Sequence, residues 1–293
     1  MLVRMDGYSY YKMSGALLLA AAVGVCLLSL VSIDGWTNAT FANARSITAS
    51  TVLQDTTPPV VEWAPTPKLR KGVTLPVHNL SYPARVPVTI AWSAADDSGK
   101  NDSIRYALQE SVDGSAYADA FWGMYAKTSW QDVLQAGETY RYRVRAQDLA
   151  GNWSGWKEGP EFEVNVVQES DGVVAYEGQW NTGVSAYASA GSVKYTSTRG
   201  SSAKLTIPPS LSFAWVSTRG SDRALAEVWL DGKRVAARDL YNSRTLSGRL
   251  VYTNNALDRT VPHTVEVRLP GWRNVASSGW RADVDAFVVL SKP

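Results

Sequence analysis

The sequence predicts an all-β chain in which two β-sandwich domains follow an N-terminal signal or anchor helix. Three observations support this fold class. Beyond residue 50, apolar and polar residues alternate in short runs, and Gly, Pro, Asn, Asp and Ser separate the runs at roughly regular intervals. No stretch of that region has the 3.6-residue period of an amphipathic helix. With 293 residues and 45% hydrophobic content, the chain is long enough for about two domains with sizeable cores.

The N-terminal segment has the features of an export signal. Lys12 precedes the apolar run GALLLAAAVGVCLLSLVSI, and TFANA follows with Ala42 and Ala44 at the spacing of a signal-peptidase site. We therefore expect a secretory signal over residues 1–44, cleaved after Ala44. The apolar run is also long enough to cross a bilayer, so an uncleaved membrane anchor is the alternative. Both interpretations predict an extracellular or cell-surface protein that touches a membrane only through an uncleaved N-terminal helix.

The cysteine content and the net charge indicate how the protein is stabilised and which partners are excluded. The only cysteine is Cys26, inside the apolar run, so the mature chain has no disulfide and must be stabilised by large cores. This favours a bacterial secreted protein. The formal charge is +2, from 29 Lys and Arg against 27 Asp and Glu, so we expect no nucleic-acid partner.

Composition sets the domain boundaries. Residues 45–57 are rich in Ser, Thr, Ala and Asn and lack periodicity, which indicates a linker. We assign residues 58–168 to a first β unit and residues 172–293 to a second β unit. The charged and Gly-containing stretch QESDG around Asp171 separates the two units.

Alternation separates core from surface within the first β unit. In VTIAW (88–92) and in TYRYRVRA (139–146), the aromatic and aliphatic residues share one face of the strand and are predicted to be core. The three arginines of the second run point the other way and are predicted to form a solvated stripe. Trp153 and Trp156 follow in the exit turn, where we expect them to cap the end of the sandwich or the interface between the units.

One motif of the first β unit is typical of a known family. Leu134-x-x-Gly137-x-x-Tyr140 has the spacing of a tyrosine corner, in which a tyrosine hydroxyl bonds to upstream backbone. Together with Trp92, YRYRVRAQD and AGNWS, it makes this region resemble a bacterial fibronectin type III domain. The resemblance implies a seven-stranded sandwich that serves as a spacer and has no catalytic machinery. The long Pro-rich segment 64–87 departs from the family and predicts an inserted hairpin or loop.

The second β unit consists of alternating runs separated by turn residues. Asp231-Gly232 in VWLDGKRV predicts a hairpin turn. The runs occur in the order YEGQW, AKLTI, FAWVSTRG, AEVWLDGKRV, ARDLY, HTVEV and DVDAFVVL. In that order they resemble the galactose-binding-like jelly-roll modules of secreted bacterial proteins. The resemblance implies a two-sheet sandwich that binds sugars through loops at one end or through a concave face.

A sugar site needs an exposed aromatic plate with a few hydrogen-bonding groups beside it. Phe213 and Trp215 share a face, and the jelly-roll resemblance implies that this face is core, whereas Trp229 lies opposite the apolar face of its strand. The stretch PGWRNVASSGW adds two tryptophans in a Gly- and Ser-rich connection. The predicted carbohydrate site comprises Trp272, Trp280, Arg219, Asp222, Tyr241 and Trp229. The alternative is that these residues only cover the open end of the sandwich.

The jelly-roll resemblance also implies a structural calcium ion. Asp285, in DVDAF, occupies a place like that of the acidic residue in the closing strand of such modules, and Glu177 is its predicted partner. Carboxylate oxygens are suitable calcium ligands. The alternative is that Asp285 bonds to neighbouring backbone amides.

We therefore predict a noncatalytic protein that binds a polysaccharide or a cell-surface glycan through the second β unit, with the first β unit as a spacer. The chain has only two histidines, His78 and His263, and lacks His-Glu-x-x-His, Gly-x-Ser-x-Gly and a phosphate loop. One alternative is a surface adhesion or structural protein that binds a protein partner. Another is a glycan-active enzyme with two carboxylates from distant positions.

Overall fold

The alternating runs form strands throughout the described chain. A computed structural model describes residues 54–76 and 83–293, and within those ranges the only helical element is the 3-10 turn Asn101–Ser103. The predicted all-β sandwich fold is confirmed. The predicted signal or anchor, residues 1–44, and His78 lie outside the described residues. None of the helical structure in the described ranges is long and apolar enough to span a membrane.

Eight strands lie in the first β unit: β1 (Val60–Leu69), β2 (Arg85–Ala95), β3 (Arg105–Val112), β4 (Ala118–Tyr125), β5 (Ser129–Gln135), β6 (Thr139–Gln147), β7 (Lys157–Glu158) and β8 (Phe162–Gln168). The strands β1, β2 and β5 form an antiparallel sheet in the order β1-β2-β5. The remaining strands belong to a larger sheet, described below.

Eleven strands lie in the second β unit: β9 (Val174–Glu177), β10 (Asn181–Val184), β11 (Ser192–Thr196), β12 (Ser202–Ile207), β13 (Ser210–Arg219), β14 (Ala224–Leu230), β15 (Lys233–Asp239), β16 (Leu246–Asn254), β17 (His263–Arg273), β18 (Ala282–Val284) and β19 (Ala286–Ser291). Five of them form the sheet β15-β14-β17-β12-β9, which we call the outer sheet. A small sheet has the order β10-β11-β18.

The largest sheet joins the two β units. Its strand order is β16-β13-β19-β8-β6-β3-β4, with β7 paired to β6, and we call it the central sheet. The strand β8 pairs with β19 over six positions, from Gln168 opposite Ala286 to Glu163 opposite Ser291, and it also pairs with β6. The connection between the units is therefore a hydrogen-bonded sheet, and the described residues belong to one compact unit.

Strands β13, β16 and β19 contribute to two hydrophobic cores, one on each face of the central sheet. Phe213 and Trp215 are fully buried in the core under the outer sheet, as predicted. The side chains that point the other way enter the core of the first β unit: Leu211, Ala214, Val216, Leu250, Ala286, Val288 and Leu290. Because both faces are covered, β13 and β19 are almost entirely buried.

The Pro-rich segment that departs from the fibronectin pattern crosses from the first β unit to the second. After β1, the Gly72 amide donates to the Leu250 carbonyl at 2.8 Å, and the Leu75 amide donates to the Gly248 carbonyl at 2.7 Å. Gly248 has a φ of +62°, and a Cβ there would lie 3.1 Å from the Leu75 oxygen. The described part of this segment therefore pairs with the edge strand β16 through backbone hydrogen bonds.

The tyrosine corner is confirmed. The Tyr140 hydroxyl accepts a hydrogen bond from the Gln135 amide at 2.9 Å and donates one to Glu138 at 2.5 Å. Gly137 occupies the left-handed region with a φ of +87°, which allows the chain to turn back into β6. This contact fixes the start of β6 against the end of β5.

Two of the three arginines of β6 are stacked between aromatic rings. The Arg143 guanidinium lies 3.9 Å from the Tyr117 ring centroid and 4.5 Å from that of Trp156, and Arg145 lies 4.4 Å from Trp153 and 4.7 Å from Trp156. The predicted solvated stripe is therefore wrong for Arg143 and Arg145, because cation–π attraction draws the exit turn back over the strand. Arg141 is partly exposed and pairs with Glu158 and Glu161. Both tryptophans cover the outward face of β6 and do not cap the sandwich end.

The predicted hairpin at Asp231-Gly232 is confirmed. Strands β14 and β15 pair across this turn, and both turn residues have positive φ, +49° and +76°. His263, at the start of β17, fixes the turn, since its Nδ1 lies 2.7 Å from Asp231 Oδ2 and its Nε2 lies 2.9 Å from the Asp258 carbonyl oxygen. We therefore assign His263 a structural role.

Candidate functional site

Three connections meet at one end of the outer sheet. Arg219 Nη2 donates to the Tyr241 carbonyl at 2.9 Å, which joins the turn after β13 to the turn after β15. The Arg281 amide donates to the Asp222 carbonyl at 3.1 Å. A Cβ on Gly279 would lie 2.7 Å from the same carbonyl oxygen, so only glycine allows this approach. The structure thus brings the loop that carries Trp280 onto the turn that carries Arg219 and Asp222.

Two tryptophans are exposed at this end. Trp272 lies near the end of β17, opposite Leu225 of β14, and is 56% exposed. Trp280 is 42% exposed, and the Arg273 guanidinium lies 4.7 Å from its ring centroid. Trp272 and Arg273 are consecutive residues of β17, and among the described residues the aromatic ring that this cation contacts is that of Trp280. Asn274 donates to Asp239 Oδ2 at 2.7 Å and fixes the loop to β15.

A buried ion-pair network supports the loops from below. Arg223 is 7% exposed; it bonds to Asp222 and lies 3.0 Å from Asp283 Oδ2. The other oxygen of Asp283 accepts from Arg281 Nε at 2.6 Å. Charged groups buried in this way must be paired, so the network holds the loop bases in one geometry. Asp222 is therefore engaged with Arg223.

Trp229 lies elsewhere on the outer sheet. Its indole Nε1 donates to Glu227 Oε2 at 3.0 Å, and the Arg268 guanidinium lies 4.0 Å from its ring centroid. Leu225, opposite Trp272, is four residues earlier on the same strand, a distance of about 13 Å at ordinary strand rise. The structure therefore separates Trp229 from the loop-end tryptophans, and one face of its ring is covered by a cation.

Ion pairs fill the outer-sheet surface around Trp229. Glu266 accepts two hydrogen bonds from Arg268, at 2.6 and 2.8 Å, and Glu227 accepts one from Arg234 at 2.9 Å. The bond to Arg268 lowers the pKa of the Glu266 carboxyl below its ordinary value. The carboxylates of Glu266 and Glu227 are thus already paired with arginines of the same sheet, so the loop end is the better candidate for a ligand site.

A second acidic site is buried between the small sheet and the central sheet. Asp285 Oδ1 accepts from the Ser189 amide at 2.8 Å, and Glu169 Oε1 accepts from the Ser192 hydroxyl. The second oxygen of each carboxylate is buried and has no hydrogen-bond partner. Burial, with the nearby charges of Glu169 and Asp283, raises the pKa of Asp285 to about 7.

The predicted partner of Asp285 lies at a different place. Glu177 is on β9, its side chain is 70% exposed, and its carboxylate lies 3.8 Å from Lys204 Nζ. The acidic residue that the fold brings near Asp285 is Glu169. In the sequence, Glu169 belongs to the stretch QESDG, whose charges indicate a domain boundary and give no sign of burial.

Another acidic group occurs at one end of the first β unit. Asp55, Asp96 and Asp148 each offer an oxygen, and these oxygens lie within 4.8 Å of one another. Both oxygens of Asp148 accept from Asn152, from its amide and from its side chain, each at 2.8 Å. The Asp148 carboxylate therefore has a local role in stabilising the turn after β6.

No protein-family model matches this chain, and no curated protein matches it. Among solved structures, it is similar to a two-domain esterase active on acetylated mannans, co-crystallised with mannopentaose (18% identity, TM-score 0.34, 44% of this chain and 37% of the esterase). It is similar to the CBM36-1 domain of a multidomain xylanase from the hindgut metagenome of Trinervitermes trinervoides (16% identity, TM-score 0.29, 43% of this chain and 96% of that domain). It is also similar to a Paenibacillus xanthan lyase (14% identity, TM-score 0.33, 80% of this chain). The chain thus spans 37% of the esterase and 25% of the lyase.

Proposed function

We propose that this chain is a noncatalytic carbohydrate-binding protein whose sugar site lies at the loop end of the outer sheet. The observation that carries the proposal is the pair of exposed indoles at this end, Trp272 and Trp280, with the Arg273 guanidinium against the Trp280 ring. A sugar ring stacks its C–H face on an indole, and its hydroxyl groups bond to polar groups at the rim. Arg273 and Asn274 supply such groups within the same loop cluster, and Asp239 holds Asn274 in place.

The other predicted site residues have supporting roles in this proposal. The Arg219 side chain bonds to the Tyr241 carbonyl and joins two turns, and Asp222 holds Arg223, so these three position the loops that carry the indoles. Trp229 belongs to the ion-paired face of the outer sheet and does not contact the sugar. The first β unit acts as a spacer, and the chain works outside the cell on a polysaccharide or a cell-surface glycan.

Trp272→Ala and Trp280→Ala are expected to weaken polysaccharide binding by about tenfold or more each, since a stacked aromatic contact contributes on the order of 1 kcal/mol beyond its buried area. The measurement is affinity electrophoresis of the predicted mature chain, residues 45–293, through gels that contain soluble polysaccharides, with pull-down on insoluble ones. Trp63→Ala is the matched control, because Trp63 is 72% exposed on β1 of the first β unit.

Near-UV circular dichroism must show that each variant is folded. Retention of binding in the double variant Trp272→Ala/Trp280→Ala, or its loss in Trp63→Ala, would contradict the loop-end site. Failure of the intact chain to bind any glycan would instead favour the alternative of a surface protein that binds a protein partner.

We further propose that Glu169 and Asp285 hold a structural calcium ion. The support is the pair of buried carboxylate oxygens without a partner, because hard anionic oxygens are the ligands that calcium prefers. A bound cation would neutralise two buried carboxylates and would tie the chain before β9 to the start of β19. Removal of the ion would leave two buried negative charges close together, which is costly.

Calcium at about one hundred times its dissociation constant is expected to stabilise the fold by about 2.7 kcal/mol, or roughly 5–10 °C in Tm. Differential scanning calorimetry with calcium and with a chelator measures the shift. Glu169→Gln and Asp285→Asn should abolish the shift, whereas the control Glu177→Gln should retain it. A shift that survives in Asp285→Asn, or the absence of any shift in the unmodified chain, would refute the site.

A further inference from the structure

A cavity of about 240 Å³ lies where the edge strands β15 and β16 face each other, beside the segment that follows β1. Four of its lining residues are cationic: Lys71, Arg219, Arg238 and Arg249. These residues come from the segment after β1 and from strands β13, β15 and β16. The cavity is therefore formed only when both β units are folded together.

The cavity carries a net positive charge, because four cations and one carboxylate, Asp239, line it. In the described ranges, none of the four cations forms a salt bridge with a carboxylate. Asp239 also lines the cavity, but its two oxygens accept from the Tyr241 amide at 2.9 Å and from the Asn274 side chain at 2.7 Å. Each oxygen of Asp239 thus already accepts a hydrogen bond from a neighbouring loop.

The arginines are held in place and retain unused donors. Arg249 donates to Thr74 Oγ1 at 2.9 Å and to the Gly72 carbonyl, and the Arg238 guanidinium lies 5.0 Å from the Tyr252 ring centroid. The Nε atoms of Arg219 and Arg238 are buried and have no hydrogen-bond acceptor. A buried N–H group without an acceptor is destabilising, so an anion that supplies acceptors would be stabilising.

We infer that this cavity binds an oxyanion substituent, a carboxylate or a sulfate, of an acidic polysaccharide. Arginine N–H groups form paired, charge-assisted hydrogen bonds with such planar or tetrahedral oxyanions. Typical ligand pockets occupy about 300–1,000 Å³, so the smaller volume here suits one substituent of a sugar chain.

The cavity adjoins the loop-end tryptophans, which makes the inference an extension of the proposed carbohydrate function. Arg219 lines the cavity and also bonds to the Tyr241 carbonyl, and Asp239 bonds to Asn274 in the loop between Trp272 and Trp280. One polysaccharide chain can therefore stack a ring on the indoles and place an acidic substituent in the cavity.

Arg238→Gln and Arg249→Gln are expected to weaken binding of acidic polysaccharides about 10- to 100-fold, because a charge-assisted hydrogen bond contributes about 1.5–3 kcal/mol. The test compares polygalacturonate, a sulfated galactan and a neutral galactan, each at low and at high salt, with residues 45–293 as the protein. Binding of the neutral polymer should not change. Lys233→Gln is the control, since it removes the same charge from an exposed position outside the cavity.

The outcomes separate this inference from the proposed function. If the acidic and neutral polymers bind equally well and Arg238→Gln affects neither, the inference is refuted and the proposed sugar site stands. Preference for polygalacturonate or for the sulfated galactan identifies the oxyanion. If no polymer binds, the proposed function fails, and the cavity is tested with sodium sulfate and with galacturonate monomer. A rise in Tm that Arg238→Gln abolishes would support the anion site, and no rise would refute it.

Discussion

Residues 169–293 expressed alone are expected not to form a stable native sandwich. In the intact protein, the core of the first β unit buries seven apolar side chains from β13, β16 and β19. In the fragment these side chains would face water. At about 1.5 kcal/mol or more for each larger side chain, the loss is on the order of 10 kcal/mol, comparable to the whole stability of a domain. The strand β19 would also lose β8, with which it pairs over six positions.

Urea denaturation followed by near-UV circular dichroism measures this effect, with residues 54–293 as the reference. We expect a cooperative transition for the reference and, for the fragment, a broad transition with exposed hydrophobic surface that binds a fluorescent dye. A fragment that unfolds cooperatively at the same urea concentration as the reference would show that the two cores are independent.

Val288→Asp is expected to destabilise the protein by about 4 kcal/mol or more, because an unpaired charge would enter a dry core. Val288 is fully buried on β19 and points into the core of the first β unit, although it belongs by sequence to the second. Val184→Asp is the control, since Val184 is 93% exposed on β10.

Hydrogen exchange measured by mass spectrometry distinguishes a local effect from a shared one. In Val288→Asp, peptides from β2 in the first β unit and from β17 in the second should both lose protection, because the central sheet couples the two cores. Loss of protection in one unit alone would contradict that coupling, and a small change in urea midpoint would contradict the predicted magnitude.

Alternation in the sequence predicts most of the strands and most of the core. The inward positions of VTIAW and TYRYRVRA are buried as expected, and Phe213 and Trp215 are fully buried. What alternation could not show is that β13 and β19 are covered on both faces. The run AFVVL gave the relevant signal, since a strand buried on both sides is apolar at successive positions.

The candidate site could be predicted in part. A Gly- and Ser-rich connection favours exposure, and Trp272 and Trp280 are indeed exposed. Strand phase placed Trp229 on the polar face but could not reveal that Arg268 covers its ring. The cationic cavity was beyond sequence analysis because its four positive residues come from separate stretches that only the tertiary fold brings together.

If the chain holds a polysaccharide as we propose, the continuity of the central sheet has a mechanical consequence. A pull on a sugar bound at the loop end would pass into the first β unit through the backbone hydrogen bonds between β19 and β8, in addition to the covalent connection. The two β units would then respond to the load as one stiff rod, whereas modules joined by a free linker would first align and extend. In the spacer role that we propose, the first β unit would therefore transmit both the direction and the magnitude of the force.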